Sequence, residues 1–342
     1  MTTGVRETKQ KHGVRETKRK HGTEPGGGLP SPTTTAHNDA DLRLSRRSRA
    51  GDVVLAYVSA QAVRLKALDP AVRRDRPDAV HQMRVTTRRL RTVLQAFPTV
   101  VPGSTEHLLG ELRWLGQVLG DARDAEVQDE YFHAELASTP VELVIGPAQA
   151  RVTAHFAAAQ AAARKAVLEA LDSPRYLEIL GGLDRLLDEP RSTRAATATA
   201  SEVLPQAVAR AYRRTKRRMH RATRAPEGAT RDVALHEARK AAKRARYAAE
   251  AVAPAFGKDA RRFAKRMKAV QSVLGDHQDA VTARGVAREI GVQAHLAGEN
   301  AFSFGLLNER AHRDALEYQR QATSAWKRAA RHKARRWLSR AR

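Results

Sequence analysis

Beyond about residue 45 the apolar positions recur with the period of amphipathic helices, and the helical signals come in long blocks. SRRSRAGDVVLAYVSAQAVRLKAL opens the series, and PDAVHQMRVTTRRLRTVLQAF follows. A third block runs from Ser104 to about Leu136, and two more cover roughly 148–171 and 174–188. At Glu189-Pro190-Arg191-Ser192-Thr193 proline and hydroxyl residues interrupt the apolar period, so this segment reads as a hinge. Helices resume near Glu202. The expected fold is all-α, built of two tandem helical bundles. A disordered basic tail is expected over 1–44, a first helical half over 45–190, a linker over 191–201 and a second half over 202–342. The tail carries the near-duplicate nonapeptides GVRETKQKH and GVRETKRKH and then a Gly/Pro/Thr-rich stretch, a composition that buries little.

The two halves are related by an internal repeat. Shifting the chain by 155 residues lays VHQMRVTTRRLR at 80–91 on LHEARKAAKRAR at 235–246, and VLGDARDA at 118–125 on VLGDHQDA at 273–280, with no gap. His81 and His236 each precede a motif glycine, Gly120 or Gly275, by 39 residues, and each follows a tyrosine, Tyr57 or Tyr212, by 24. Two similar bundles most simply pack about a pseudo-twofold axis.

Within the repeat, His81, Arg84, Arg88 and Arg91 stand at i, i+3, i+7 and i+10, and His236, Arg239, Lys243 and Arg246 repeat the spacing. At about 100° per residue the four positions share a stripe roughly 80° wide, and at 1.5 Å rise the ridge is about 15 Å long. Like charges one turn apart repel, so a ligand or nearby acids must offset them. Arginine suits phosphate because its planar fork binds two oxygens and never loses its charge. Each histidine is expected in or near the first turn of its helix, where free N–H groups favour an anion. The ordinary alternative is a solvated helix face, but such a face has no reason to keep one His and three cations in register while a neighbour changes, as Val85 does to Lys240.

Composition sharpens the picture. The chain has 342 residues, with 62 Lys+Arg against 37 Asp+Glu, a formal net charge of +25 that points to an anionic partner. More cations crowd 210–220 and 327–336, among which Arg213, Lys216 and Arg217 are candidates to reach the same ligand. Cysteine is absent, which excludes disulfides, thiolate catalysis and cysteine-based zinc sites. No apolar run approaches the ~20 residues of a membrane span and no leader pattern opens the chain, so a cytoplasmic location with no membrane partner is expected.

The repeated LGDxxDA brings Asp121, Asp124, Asp276 and Asp279. Such pairs either hold a divalent metal beside phosphate or orient and neutralise the arginines; the second is expected, with no metal, cofactor or catalytic residue. Gly120 and Gly275 are expected to let helices approach closely. Trp114, Leu115 and Leu119, with Ala269, Val270 and Leu274, are expected in the core. No aromatic ladder accompanies the ridges, which argues for phosphate without bases, with a nucleic-acid binder and a histidine phosphocarrier as the alternatives.

The duplicated helix-borne histidine followed by Arg and Lys, with the later LGDxxDA, resembles the CHAD domain, the conserved histidine α-helical domain, over about residues 45–338. The resemblance implies two helical bundles related by pseudo-twofold symmetry and a basic central cavity that binds inorganic polyphosphate. It further implies that His81, Arg84, Arg88 and Arg91, with His236, Arg239, Lys243 and Arg246, line that cavity, and it suggests association with polyphosphate granules.

Overall fold

The computed structural model describes residues 44–101, 103, 105–189 and 193–339. The tail expected over 1–44 lies outside the described residues except for Leu44, as do the hinge positions 190–192. The described part is all-α, as expected. Its helices are α1 (Ala50–Arg73), α2 (Ala79–Ala96), α3 (Glu106–Ala137), α4 (Ala148–Asp172), α5 (Pro174–Asp188), the single turn α6 (Arg194–Thr197), α7 (Ala200–Arg224), α8 (Ala229–Ala251), α9 (Ala253–Leu296) and α10 (Phe302–Ala329).

Local chemistry sets several of the boundaries. Ser173 caps α5 by accepting from the Tyr176 N–H, and Pro174 at its first position loses nothing because that N–H would be unpaired anyway. Thr199 and Glu202 form a capping box, which starts α7 two residues before Glu202. Gly257, at φ +56°, breaks α9 after its first turn, a conformation that L side chains rarely adopt.

Each half repeats one order of packing. α1 packs on α2, α2 on α3 and α3 on α4; α7 packs on α8, α8 on α9 and α9 on α10. The halves meet through matching helices, α1 on α7 and α2 on α8, and through the reciprocal pairs α1 on α8 and α2 on α7. Backbone bonds join the helix starts reciprocally. The Ala50 N–H donates to Ala198 O at 2.9 Å, and the Ala200 N–H donates to Ser48 O at 2.8 Å.

One apolar core runs through both halves, from Val53 and Leu65 of α1 through Leu90, Leu115 and Leu119 to Leu204, Ala242, Phe263 and Val270. A second cluster holds the far ends of α3 and α4 against α9 and α10 through Phe132, Phe156, Ile290 and Phe304. Of the expected core residues, Leu115, Leu119, Val270 and Leu274 are buried. Trp114 is only half-buried, its ring covered by the Arg175 guanidinium at 4.1 Å, and Ala269 is exposed. Alanine satisfies the apolar pattern on either face, so periodicity misplaces it more readily than leucine. Among the described residues no helix is long and apolar enough to cross a membrane.

Candidate functional site

The four ridge positions of α2 and the four of α8 are all half-buried, whereas a purely solvated face would leave such long side chains largely exposed. Lys240, which departs from the repeat, is exposed and paired with Glu237 one turn earlier. The repeated positions are thus partly covered in both halves, while at the changed one Val85 is half-buried and Lys240 exposed.

Arg84 and Arg239 lie in matching surroundings. The Arg84 guanidinium lies across Gly120 of α3, where a Cβ would stand 3.5 Å from Nη2. Arg239 lies across Gly275 of α9, where a Cβ would stand 3.4 Å from Nε and Nη2. What lies nearest each glycine is thus a guanidinium carried by the helix packed against it. Arg84 Nη1 donates to Asp124 Oδ1 at 2.8 Å, so this aspartate neutralises an arginine. In the second half Asp279 favours the charged form of Lys243. Among the described residues no group of three or more His, Asp or Glu side chains is placed to hold a metal ion.

The ridges converge. Burial, and then Arg88, Arg239 and Arg84, bring the Lys243 ammonium down to about 6. Burial likewise opposes the charge on Arg88, with Arg84 and Arg239 adding to it and Tyr247 opposing them. Arg84 and Arg88 of α2 therefore share one electrostatic cluster with Arg239 and Lys243 of α8. The Nε atoms of Arg84, Arg239 and nearby Arg123 are buried without a hydrogen-bond partner among the described residues. A buried donor left unpaired costs about 1–3 kcal/mol, which an incoming acceptor would remove.

The histidines differ. His81 is the third residue of α2, inside its first turn. His236 is the eighth residue of α8, so the expected helix-terminus contribution holds for His81 alone. The cause is local: Gly228, at φ +87°, starts α8 seven residues before its histidine, while Asp78, at φ +62°, starts α2 only two before. Burial holds both imidazoles below their ordinary pKa. Arg123, Arg84 and Arg88 press on His81 against the pull of Asp78, and Lys240, Arg239 and Lys243 press on His236. His236 Nδ1 bonds Gln278 Oε1 at 2.7 Å. Arg123 and Gln278 occupy the same variable position of LGDxxDA, and the sequence reading overlooked both. Their signal was position, one residue before the second aspartate, rather than residue type.

At the far end of the ridges, Arg246 donates to Glu250 at 2.6 Å and to Gln271 at 3.3 Å, whereas Arg91 faces Arg244 and Arg113. The α7 candidates separate. Arg217 lines a groove against α2 and α8 together with Arg210 and Arg214, while Arg213 and Lys216 are exposed and outside that lining. Tyr57 and Tyr212 also part company. Tyr57 is half-buried beside Arg89, Glu250 and Tyr247, but Tyr212 stacks on Trp326 at 5.8 Å, with Phe263 beside it.

A family model described as the CHAD domain matches residues 56–288. Two uncharacterised proteins, from two strains of Mycobacterium tuberculosis, are each 38% identical over 263 residues, covering 76% of this chain and 49% of the relative. The chain thus spans about half the length of the curated relatives it matches. Among solved structures, PptA from Streptomyces chartreusis superposes with a TM-score of 0.67 at 21% identity, covering 82% of this chain and 100% of that one, a likeness of fold. The CHAD domain from the plant Ricinus communis superposes with a TM-score of 0.59 at 25% identity, covering 88% and 95%.

Proposed function

The chain belongs to the CHAD domain family, and from that premise we propose that it binds inorganic polyphosphate between the α2 and α8 ridges without transforming it. One observation carries this reading: Lys243 is flanked by Arg88, Arg239 and Arg84, so cations from both halves are held half-buried against their mutual repulsion. A polyanion is the ligand that offsets such a cluster. Release of its counterions would add a salt-sensitive driving force.

In this reading the two ridges face one another about a pseudo-twofold axis and enclose a basic cavity. The reciprocal contacts of α1 with α8 and α2 with α7, and the reciprocal backbone bonds at Ala50 and Ala200, support that arrangement. His81 and His236 donate hydrogen bonds at the rim of the cluster, and Asp124 holds Arg84 in place until the ligand arrives. The protein acts in the cytoplasm, on polyphosphate granules.

Isothermal titration with polyphosphates of defined length at two salt concentrations tests this. Affinity is expected to rise with chain length, to fall steeply with salt and to withstand competition by RNA or DNA at equal phosphate concentration. Displacement by nucleic acid would replace this reading with that of a general nucleic-acid binder.

The glycine cradles give a second expectation. Gly120→Leu combined with Gly275→Leu pushes both guanidiniums off their helices and is expected to weaken polyphosphate binding about tenfold or more, the worth of one charge-assisted hydrogen bond. The corresponding alanine pair, which makes only van der Waals contact, is expected to stay near the parent affinity. Equal affinities for the two pairs would separate the glycines from ligand binding.

A further inference from the structure

The 155-residue repeat gives each residue in the last turns of α2 a counterpart in α8, and there the two copies differ. In one copy Arg89 of α2 meets Tyr247 and Glu250 of α8. Glu250 Oε2 stands 3.5 Å from Arg89 Nη2, and its Oε1 accepts from Arg246 Nε at 2.6 Å. Both guanidiniums lie over the Tyr247 ring, at 5.8 and 5.4 Å from its centroid. Tyr57, the eighth residue of α1, completes the cluster. Two rings thus fill this copy, and one carboxylate offsets part of its charge.

The other copy is emptied of the same groups. Arg244 of α8, the counterpart of Arg89, has Thr92 where Arg89 has Tyr247 and Gln95 where it has Glu250. The eighth residue of α7 is Ala207. With both rings and the acid gone, a groove of about 520 Å³ opens between α2, α7 and α8. Arg210, Arg214 and Arg217 enter it from α7, facing Arg244, Thr92 and Gln95, over a floor of alanines that includes Ala207 and Ala241. Arg91, the counterpart of Arg246, loses the acid four residues on, because Gln95 replaces Glu250.

These cations oppose one another. Beyond burial, the charge on Arg244 is disfavoured by Arg214 and Arg218, and that on Arg91 by Arg244 and Arg113. Glu237, which favours the charge on Arg244, is already engaged by Lys240 and Arg218. Among the described residues no carboxylate is paired with Arg210, Arg214, Arg217 or Arg244. Four guanidinium forks, a hydroxyl and an amide around one open space suit the oxygens of linked phosphoryl groups. The alanine floor offers no aromatic surface for a base.

We propose that this groove is a second anion site, absent from the other copy of the repeat, which binds a short run of linked phosphoryl groups. It starts where the α2 ridge ends, since Thr92 follows Arg91, so two sources could supply the ligand: a free oligophosphate or a stretch of a longer polyphosphate chain. The site does not depend on occupancy of the ridges.

The probe is tripolyphosphate, titrated calorimetrically into the parent protein, into Gln95→Glu, which restores the acid of the other copy, and into Arg210→Ser combined with Arg214→Ser. Gln95, Arg210 and Arg214 are exposed, so these changes leave the core untouched. Both variants are expected to bind one tripolyphosphate fewer than the parent, or to bind it at least about tenfold more weakly at that site. Unchanged stoichiometry and affinity in both would overturn the groove. Long-chain polyphosphate distinguishes the sources. A matching loss of its affinity in Gln95→Glu assigns the groove to a stretch of that chain, and an unchanged affinity assigns it to a free oligophosphate. Arg84→Glu with Arg239→Glu, run in parallel, tests the ridges separately, so failure of either site is read without the other.

Discussion

Replacing Arg84 and Arg239 together by glutamate is expected to lower the affinity for polyphosphate by about a hundred- to ten-thousandfold, two charge-assisted contacts at roughly 1.5–3 kcal/mol each. The pair is chosen because each guanidinium lies in the same cradle of its own half, on Gly120 or Gly275, and each has a buried Nε with no partner among the described residues. Reversal removes two donors and places two carboxylates inside the electrostatic cluster that holds Lys243. One of those carboxylates would also stand beside Asp124, whose present partner is Arg84. The neutral pair Arg84→Gln with Arg239→Gln is the control for folding and is expected to lose less affinity. The slope of log affinity against log salt should fall by about two counterions' worth in either pair. Parent-like affinity in a folded double glutamate variant would remove the ridges from the binding site.

Proton uptake is the second large expectation. In the free protein Lys243 titrates near 6, because burial and three guanidiniums disfavour its charge. A bound polyanion reverses that sign and raises the bound-state pKa. Below pH 6 the ammonium is already charged and affinity is at its highest. Above pH 6, up to the bound-state value, each complex takes up a proton, and affinity falls by up to about tenfold per pH unit. His81 and His236, both held below their ordinary values, add uptake of the same sign. Titration at pH 7.5 in two buffers of different ionisation heat counts the protons. Lys243→Arg gives this position the residue found at its counterpart Arg88 and should remove one proton from the count. An unchanged count in that variant would show that Lys243 does not sense the ligand. Without ligand the folded chain binds fewer protons at Lys243 than the unfolded one, so its stability is expected to rise with pH from about 6 toward the ordinary lysine range, a trend that polyphosphate should blunt.

Much of the candidate site was legible because helical spacing is strict. Residues at i, i+3, i+7 and i+10 share a face in any regular helix, so the eight ridge residues could be grouped before their surroundings were known. What spacing could not show was where each helix starts. α2 and α8 end 155 residues apart, but they begin 150 apart, as α1 and α7 do. That offset moves His236 away from its helix terminus and gives Tyr57 and Tyr212 different neighbours despite their equal distance from the motif. The start of a helix depends on one or two caps such as Gly228, and a cap is a weaker signal than a face. Ala269 is exposed and Trp114 half-buried for a related reason: periodicity assigns a face, but the neighbouring elements decide how far it is covered.

The sequence by itself determined an all-α chain, the duplication, the two cationic faces and the bond to a family, because each follows from spacing along one chain. Only the tertiary structure decided that the faces converge on Lys243, that the motif glycines admit the guanidiniums of Arg84 and Arg239, and that Arg123 and Gln278 approach the histidines. It alone showed one copy of the α2–α8 junction filled by Tyr57, Tyr247 and Glu250 and the other left open. Those outcomes depend on distances between residues far apart in the chain. Electrostatic repulsion, burial and the volume of a missing ring exist only once packing has set those distances.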